Sequence, residues 1–236
     1  MLSYLKLFLI IVYSIILSIL ALISALIDRT FSTYFILSRI FSKGILLIGG
    51  VRLKVTGLEN LNEKAAYVFV SNHSSQFDIP ALQYSVPNKF SIVYKKELGK
   101  IPLFGWQMKL GPYIMIDRQN VESALTSIEK AKKMMSEKGV SVLLFAEGTR
   151  SRTGEVQPFK RGAFYLASRV GFPIIPVSLS GTEKILPKGK FRIKSGTINI
   201  HFDKPILTEN INNRKDELEL MEKVRDIIIQ NIRKGS

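Results

Sequence analysis

From Leu7 to Ile27 the chain runs for 21 residues without a charged side chain. As a helix this run is about 32 Å long, enough to cross the hydrocarbon core of a bilayer. It is apolar on every side, so it must be surrounded by lipid or by protein. It exceeds the roughly 7–15-residue apolar stretch of a cleaved secretory signal. Asp28-Arg29-Thr30 interrupts it. Phe31 to Ile48 is apolar again but carries Arg39 and Lys43, four apart and so on one helical face. That pattern suits an amphipathic helix lying in a membrane interface. Gly49-Gly50 ends it, and the composition changes there. Residues 1–50 are therefore expected to form a hydrophobic two-helix membrane anchor, and residues 51–236 a separate α/β domain.

The second region alternates strand and helix patterns. Val51–Thr56, Ala66–Val70, Phe90–Tyr94, Tyr113–Ile116, Val140–Phe145 and Ile174–Leu179 read as strands, the continuous apolar runs as strands buried on both faces. Ile79–Val86, Pro102–Leu110, residues 121–135 and Gly162–Val170 read as helices. In the third of these Val121, Ala124, Leu125, Ile128, Ala131 and Met135 recur at helical spacing. Phe191–Lys194 and Thr197–Phe202 are expected to pair as a hairpin across Ser195-Gly196. A long terminal helix from Asn213 to Arg233 should bury Leu218, Met221, Val224, Ile228 and Ile232. The fold class that follows is α/β: a single mixed sheet flanked by helices, preceded by the two-helix anchor.

Charge and cysteine usage narrow the chemistry. There is no cysteine and there are two histidines, which excludes disulfides, thiolate metal sites, a cysteine nucleophile and a histidine-rich metal site. The net charge of +15 favours anionic partners: nucleic acid, an anionic membrane face or phosphorylated molecules. No zinc finger, basic zipper or RNP-type pattern is present, so nucleic acid is set aside.

After the strand ending at Val70 comes Ser71-Asn-His-Ser-Ser-Gln-Phe-Asp78, a polar turn holding one histidine and, five residues on, one carboxylate. Histidine moves protons near neutral pH, and a carboxylate within reach fixes its tautomer and stabilises the imidazolium. On a regular helix five residues turn the two side chains roughly 140° apart, and on a strand they point to opposite faces. His73 and Asp78 therefore meet only if the chain turns between them, which Ser74 and Ser75 favour. Asp78 followed by Ile-Pro also suits a helix N-cap.

Two more strand ends are polar: Asp117-Arg118 and Glu147-Gly148-Thr149-Arg150. In open α/β sheets ligands bind beyond the carboxyl ends of the strands. There Arg118 and Arg150 would make bidentate bonds to phosphate oxygens, and Gly148 would let the backbone come close. Singly, Arg118 is a surface residue and Glu147–Arg150 a capped turn.

Together these stretches resemble the glycerophospholipid acyltransferases. The family's N-H-x-S-x-x-D is matched by Asn72, His73, Ser75 and Asp78. Its second block resembles Gly111-Pro-Tyr-Ile-Met-Ile-Asp-Arg118. Its F-P-E-G-T-R-S is matched by Phe145, Glu147, Gly148, Thr149, Arg150 and Ser151, with Ala146 where the family usually has Pro. Its fourth block resembles Ile175-Pro-Val-Ser178, and Lys95-Lys96-Glu97-Leu98 also resembles a family block. The motifs occur in order over roughly residues 50–210.

The resemblance implies a membrane-bound enzyme of phospholipid biosynthesis that moves a fatty acyl group from a thioester, acyl-CoA or acyl-ACP, to the sn-2 hydroxyl of lysophosphatidic acid. His73 would be the general base and Asp78 its orienting partner. Arg118, Glu147, Gly148, Thr149, Arg150 and Lys95 would bind substrate, Glu147 either bonding the glycerol hydroxyl or fixing an arginine. No metal or resident cofactor is implied, only the thioester cosubstrate. The partners are the bilayer, the lysophospholipid and its acyl donor, and the expected location is the cytoplasmic face of the cell membrane. Other acceptors of the same class, or a non-catalytic lipid-binding protein, are the alternatives. A serine hydrolase using Ser74 or Ser75 lacks the G-x-S-x-G elbow.

In the membrane, two full spans would place Arg39 and Lys43 near mid-bilayer, at about 2.5–3.5 kcal/mol each. Either Leu7–Ile27 crosses alone, or both helices form a hairpin sunk into one leaflet. The hairpin is preferred, since it delivers the site to a substrate whose acyl chain stays in that leaflet.

Overall fold

The computed structural model describes residues 2–117, 121–209, 211 and 213–235, with the side chains of 121–124 also outside the description. Arg118 thus lies outside the described residues.

The chain begins with two helices, α1 (Leu2–Ile27) and α2 (Ser32–Gly49). Asp28 makes the turn between them, its carboxylate accepting from the backbone N–H of Thr30 and Thr33 and from the Thr30 hydroxyl. Tyr13 donates to the Ile40 carbonyl and Lys6 to the Gly49 carbonyl, so the helices run antiparallel in contact. Gly50 closes α2 at φ 67, and its N–H returns to Leu47. A Cβ there would lie 2.5 Å from the Ser195 hydroxyl, so only glycine fits both the backbone and the space.

α1 is patterned opposite to a helix on a soluble protein. Its buried residues are Leu17, Ser18, Ala21 and Ser24, mostly small or polar. Phe8, Ile11, Ile15, Ile19 and Ile23 point outward and are 41–62% exposed. Small inward residues let backbones approach closely, and an outward band of large apolar side chains suits lipid. α2 packs against the body instead. Arg39 donates to the carbonyls of Val86 and Tyr84, which binds its charge to a neighbouring helix end rather than leaving it wholly to headgroups.

The remaining elements are β1 (Val51–Thr56), β2 (Val68–Ser71), α3 (Asp78–Ser85), β3 (Phe90–Lys95), α4 (Phe104–Leu110), β4 (Ile114–Ile116), α5 (Val121–Lys138), β5 (Ser141–Phe145), α6 (Arg161–Val170), β6 (Ile174–Ser180), α7 (Thr182–Ile185), β7 (Gly196–Phe202) and α8 (Arg214–Lys234). The seven strands form one sheet in the order β1-β7-β6-β2-β5-β3-β4. Only β6 and β7 are antiparallel, so the sheet is mixed, as expected. β2 is central, with Ser71 beside Phe145 of β5 and Val177 of β6.

Alternate residues of each strand feed two cores. Phe69, Leu143, Ile175 and Ile198 face one, with Tyr34, Leu46, Ala81 and Met108. Val68, Val70, Val142 and Ile174 face the other, with Ile128, Phe164, Val224 and Ile228. All four β2 side chains are buried, which is why its sequence reads as an unbroken apolar run.

Three expectations need correction. Residues 191–194 form no strand; β7 pairs in parallel with β1 and antiparallel with β6. Both edges of β7 are occupied, and of residues 190–194 only Ile193 is buried. In α8 the buried stripe is Glu217, Leu220, Val224 and Ile228, while Leu218 is exposed. Met221 and Ile232 pack against the same core as expected, and Glu217 beside them reaches Arg161 at 2.8 Å. In α5, Ile128, Ala131 and Met135 are buried as expected, whereas Leu125 is exposed.

Candidate active site

The polar turn after β2 does what the spacing required. The chain folds back between the two residues, and His73 Nδ1 lies 2.6 Å from Asp78 Oδ2. The same oxygen accepts the backbone N–H groups of Ser74 at 2.7 Å and Ser75 at 2.9 Å. Asp78 is the first residue of α3 yet reaches backward to the turn, so its carboxylate organises the turn and does not cap its own helix. A carboxylate only accepts, so Nδ1 carries the proton and Nε2 presents its lone pair. Asp78 is fully buried, whereas the His73 side chain is 16% exposed and open to a substrate. Its ring stacks on Phe145 with centroids 3.9 Å apart.

Long-range bonds clamp this turn in place. The Asn72 amide donates to the Leu179 carbonyl and accepts the Leu179 N–H, extending the β2–β6 ladder past the end of β2. The Ser75 hydroxyl donates to the Leu186 carbonyl. Ser151 N–H donates to the His73 carbonyl at 2.7 Å, and His73 N–H donates to Glu147 Oε1 at 2.9 Å. Ser74 and Ser75 are both buried, which argues against either as a nucleophile.

Glu147 follows β5, next to β2 in the sheet, so adjacent strand ends bring it to the histidine turn. Its side chain is buried, and Oε2 has no partner among the described residues. Burial pushes its carboxyl up to about 7; the N–H groups of His73 and Gln157 pull it down, the Asp78 charge adds to the rise, and Arg225 opposes it. Its Oε1 accepts from the His73 backbone, a role the sequence did not suggest. Glu147 couples the histidine turn to the loop that follows β5.

That loop turns at Gly148, with φ 72, and carries Thr149 and Arg150 to the rim. A surface cavity of about 250 Å³ is lined by Arg150, Arg152, Thr149, Ser151 and Lys188. Lys188 comes from the loop after α7. Its ammonium donates to the Thr149 hydroxyl at 3.0 Å and the Arg150 carbonyl at 2.8 Å. Among the described residues no carboxylate pairs with Arg150, Arg152 or Lys188, so three cations face one cavity.

Lys95 ends β3, the strand beyond β5, with its side chain exposed on the same rim but outside this cavity. Asp117 pairs with Lys96 at 2.9 Å. Sequence reasoning assigned no role to Lys188, Asn72 or the Phe145 ring. Asn72 and Phe145 stood within recognised motifs, but Lys188 lies in a Leu186-Pro-Lys-Gly stretch with no local signal. Among the described residues, no group of three His, Asp or Glu side chains is placed to hold a metal ion.

The chain is similar to known proteins in sequence and in fold. A family model described as Acyltransferase matches residues 52–180. The chain is 33% identical over 216 residues to a 1-acyl-sn-glycerol-3-phosphate acyltransferase of Saccharomyces cerevisiae, covering 90% of this chain and 70% of that protein. It is 34% identical over 188 residues to the Limnanthes douglasii protein of the same name, covering 80% and 66%. The matched part thus spans about two thirds of these relatives' length. The crystal structure of the 1-acyl-sn-glycerophosphate (LPA) acyltransferase PlsC from Thermotoga maritima superposes with a TM-score of 0.83 at 25% identity, covering 99% of this chain and 94% of that one.

Proposed function

The chain belongs to the acyltransferase family, and from that premise we propose that it transfers a fatty acyl group from a thioester to the sn-2 hydroxyl of lysophosphatidic acid, giving phosphatidic acid. The observation that carries this reading is the His73–Asp78 pair, held by Glu147 against a loop with an unpaired cationic cavity.

An alcohol does not ionise appreciably at neutral pH, so its attack needs a general base. His73 Nε2 takes the hydroxyl proton as the oxygen attacks the thioester carbonyl. Asp78 stabilises the imidazolium that forms. The tetrahedral intermediate expels the thiolate, which takes the proton back from His73, and the products are the diacylglycerol phosphate and a free thiol. No acyl-enzyme is formed. The Ser74 and Ser75 N–H groups are spent on Asp78, so the developing oxyanion is met by other donors. Arg150, with Thr149 and Gly148 shaping its loop, holds the acceptor phosphate; Arg118 and Lys95 supply further cations. Coenzyme A and acyl carrier protein both satisfy this chemistry as donor carriers.

The helix pair supports an anchor confined to one leaflet. Near the start of α1, Ser3 bonds Ile193 and Lys6 bonds Ser195, while at its far end the Arg29 carbonyl accepts from Lys138 of α5. Both ends touch the α/β body, and the apolar face between them points outward. The hairpin then lies in the cytoplasmic leaflet of the cell membrane, on the side where acyl thioesters are supplied.

The test is thiol release from an acyl thioester by the protein in vesicles, with and without lysophosphatidic acid. Release should require the acceptor, and His73→Ala should lower it about 10²–10⁴-fold, the usual worth of a general base. Acceptor-independent release, or full turnover by His73→Ala, refutes the reading. Other lysophospholipids, run as parallel acceptors, report whether the phosphate monoester is preferred.

A further inference from the structure

The loop between α7 and β7 has no step in the chemistry above, yet it touches the histidine turn, the cationic cavity and α1. The Leu186 carbonyl accepts the Ser75 hydroxyl of the histidine turn. Lys188 grips the Thr149–Arg150 loop. Ile193 N–H donates to the Ser3 hydroxyl of α1 at 2.6 Å, and Lys6 donates to Ser195 at 2.8 Å. One strap thus joins the base, the cationic cavity and the start of the apolar helix.

Its exposed side chains share one character. From Lys184 to Phe202 there is no acidic residue, while Lys184, Lys188, Lys190, Arg192 and Lys194 fall within eleven positions. Phe191 is 71% exposed at the tip, between exposed Lys190 and Arg192, and of residues 190–194 Ile193 alone turns inward. Beyond the Ser3–Ile193 contact, α1 continues the apolar surface with Leu2, Tyr4, Leu5 and Phe8, all at least 53% exposed. An aromatic tip ringed by cations and continuous with an outward apolar helix matches an anionic membrane interface.

We propose that residues 186–194 form a second membrane contact, with Phe191 entering the boundary between headgroups and acyl chains and Lys190, Arg192 and Lys194 meeting anionic headgroups. This rests on the reading of α1 as a one-leaflet anchor. The contact sets the Arg150–Lys188 cavity at the surface from which a lysophospholipid headgroup rises. It also fixes the tilt of the α/β body, which one helix pair leaves free to rock.

The experiment uses the full chain with Phe191→Trp in a Trp106→Phe background. Trp106 is the sole tryptophan, so the emission then reports position 191 alone. Both positions are exposed, and neither substitution disturbs the core. On vesicles containing phosphatidylglycerol, the emission should shift to the blue and be quenched by lipids brominated near the top of the acyl chain. Changing Lys190, Arg192 and Lys194 to Gln should weaken this docking about fivefold per cation, the equivalent of about 1 kcal/mol each. If the protein sediments with the vesicles while the indole introduced at position 191 stays in water, the strap proposal fails and the α1 anchor stands. If the protein does not sediment, both fail. An emission shift with acyl carrier protein, but none with vesicles, makes the strap a donor-docking surface and also overturns the proposal.

Discussion

Asp78→Asn tests the central geometry with a near-isosteric change. Asp78 Oδ2 receives three donors, one from the His73 ring and two from the Ser74 and Ser75 backbone. The two backbone N–H groups cannot flip, so they hold the asparagine oxygen toward the turn, and His73 keeps its Nδ1–H tautomer. What is lost is charge. Unit charges about 4 Å apart interact by about 4 kcal/mol at an effective dielectric near 20. Losing that stabilisation of the imidazolium should slow turnover roughly 10³-fold. The new NH2 group replaces Oδ1, a buried atom without a partner among the described residues, so an unsatisfied donor remains there and costs about 1–3 kcal/mol of stability. The melting temperature should then fall by several degrees, at about 2–4 °C per kcal/mol for a chain of this size. The assay pairs thiol release under saturating lysophosphatidic acid with thermal denaturation of the same preparation. A variant that melts earlier yet turns over within tenfold of the parent would mean that Asp78 only braces the turn, and the electrostatic account would be wrong.

Three further outcomes follow from the site. Arg150→Lys keeps a cation but loses the planar fork; it should raise KM for phosphate-bearing acceptors about 10–100-fold, the worth of a charge-assisted bond, with little change for the donor, and an equal loss for both would move Arg150 out of the acceptor site. Glu147 in the folded protein holds its proton up to about 7, against an ordinary 4.5, so the folded state binds the extra proton between these values and stability falls as pH rises through that window. The full effect is about 3 kcal/mol above pH 7; Glu147→Gln, which retains an oxygen for the His73 N–H, should flatten that part of the stability curve, and an unchanged slope would assign it to other groups. Ser3→Cys, the only cysteine in the chain, should react with a membrane-impermeant thiol reagent only after cell lysis, whereas labelling of intact cells would mean that α1 crosses the bilayer.

Much of this molecule is legible locally. Apolar runs mark β2, β5 and β6 because strands buried on both faces have no polar side to alternate with. The five-residue gap between His73 and Asp78 demands a turn, since neither a helix nor a strand lets the two meet. The stretch Glu147-Gly148-Thr149-Arg150 announces a strand-end loop, and Gly148 takes the positive φ that suits it. The inward turn of Glu217 on α8 was not legible, because its partner Arg161 lies 56 residues away in the sequence.

Sequence alone determined that the N-terminal run needs apolar surroundings, that a mixed α/β sheet follows, and that a histidine, a carboxylate and an arginine loop stand at strand ends. Those properties belong to short windows, where periodicity and turn chemistry act between neighbours. Only the tertiary structure decided that β7 lies between β1 and β6 rather than in a hairpin, that Lys188 joins Arg150, and that Asn72 locks the histidine turn to β6. It also decided that α1 turns Ser18 and Ser24 inward and Ile11, Ile15, Ile19 and Ile23 outward. Each of these depends on which distant segments compete for the same hydrogen bonds and the same buried space, and no local pattern carries that information.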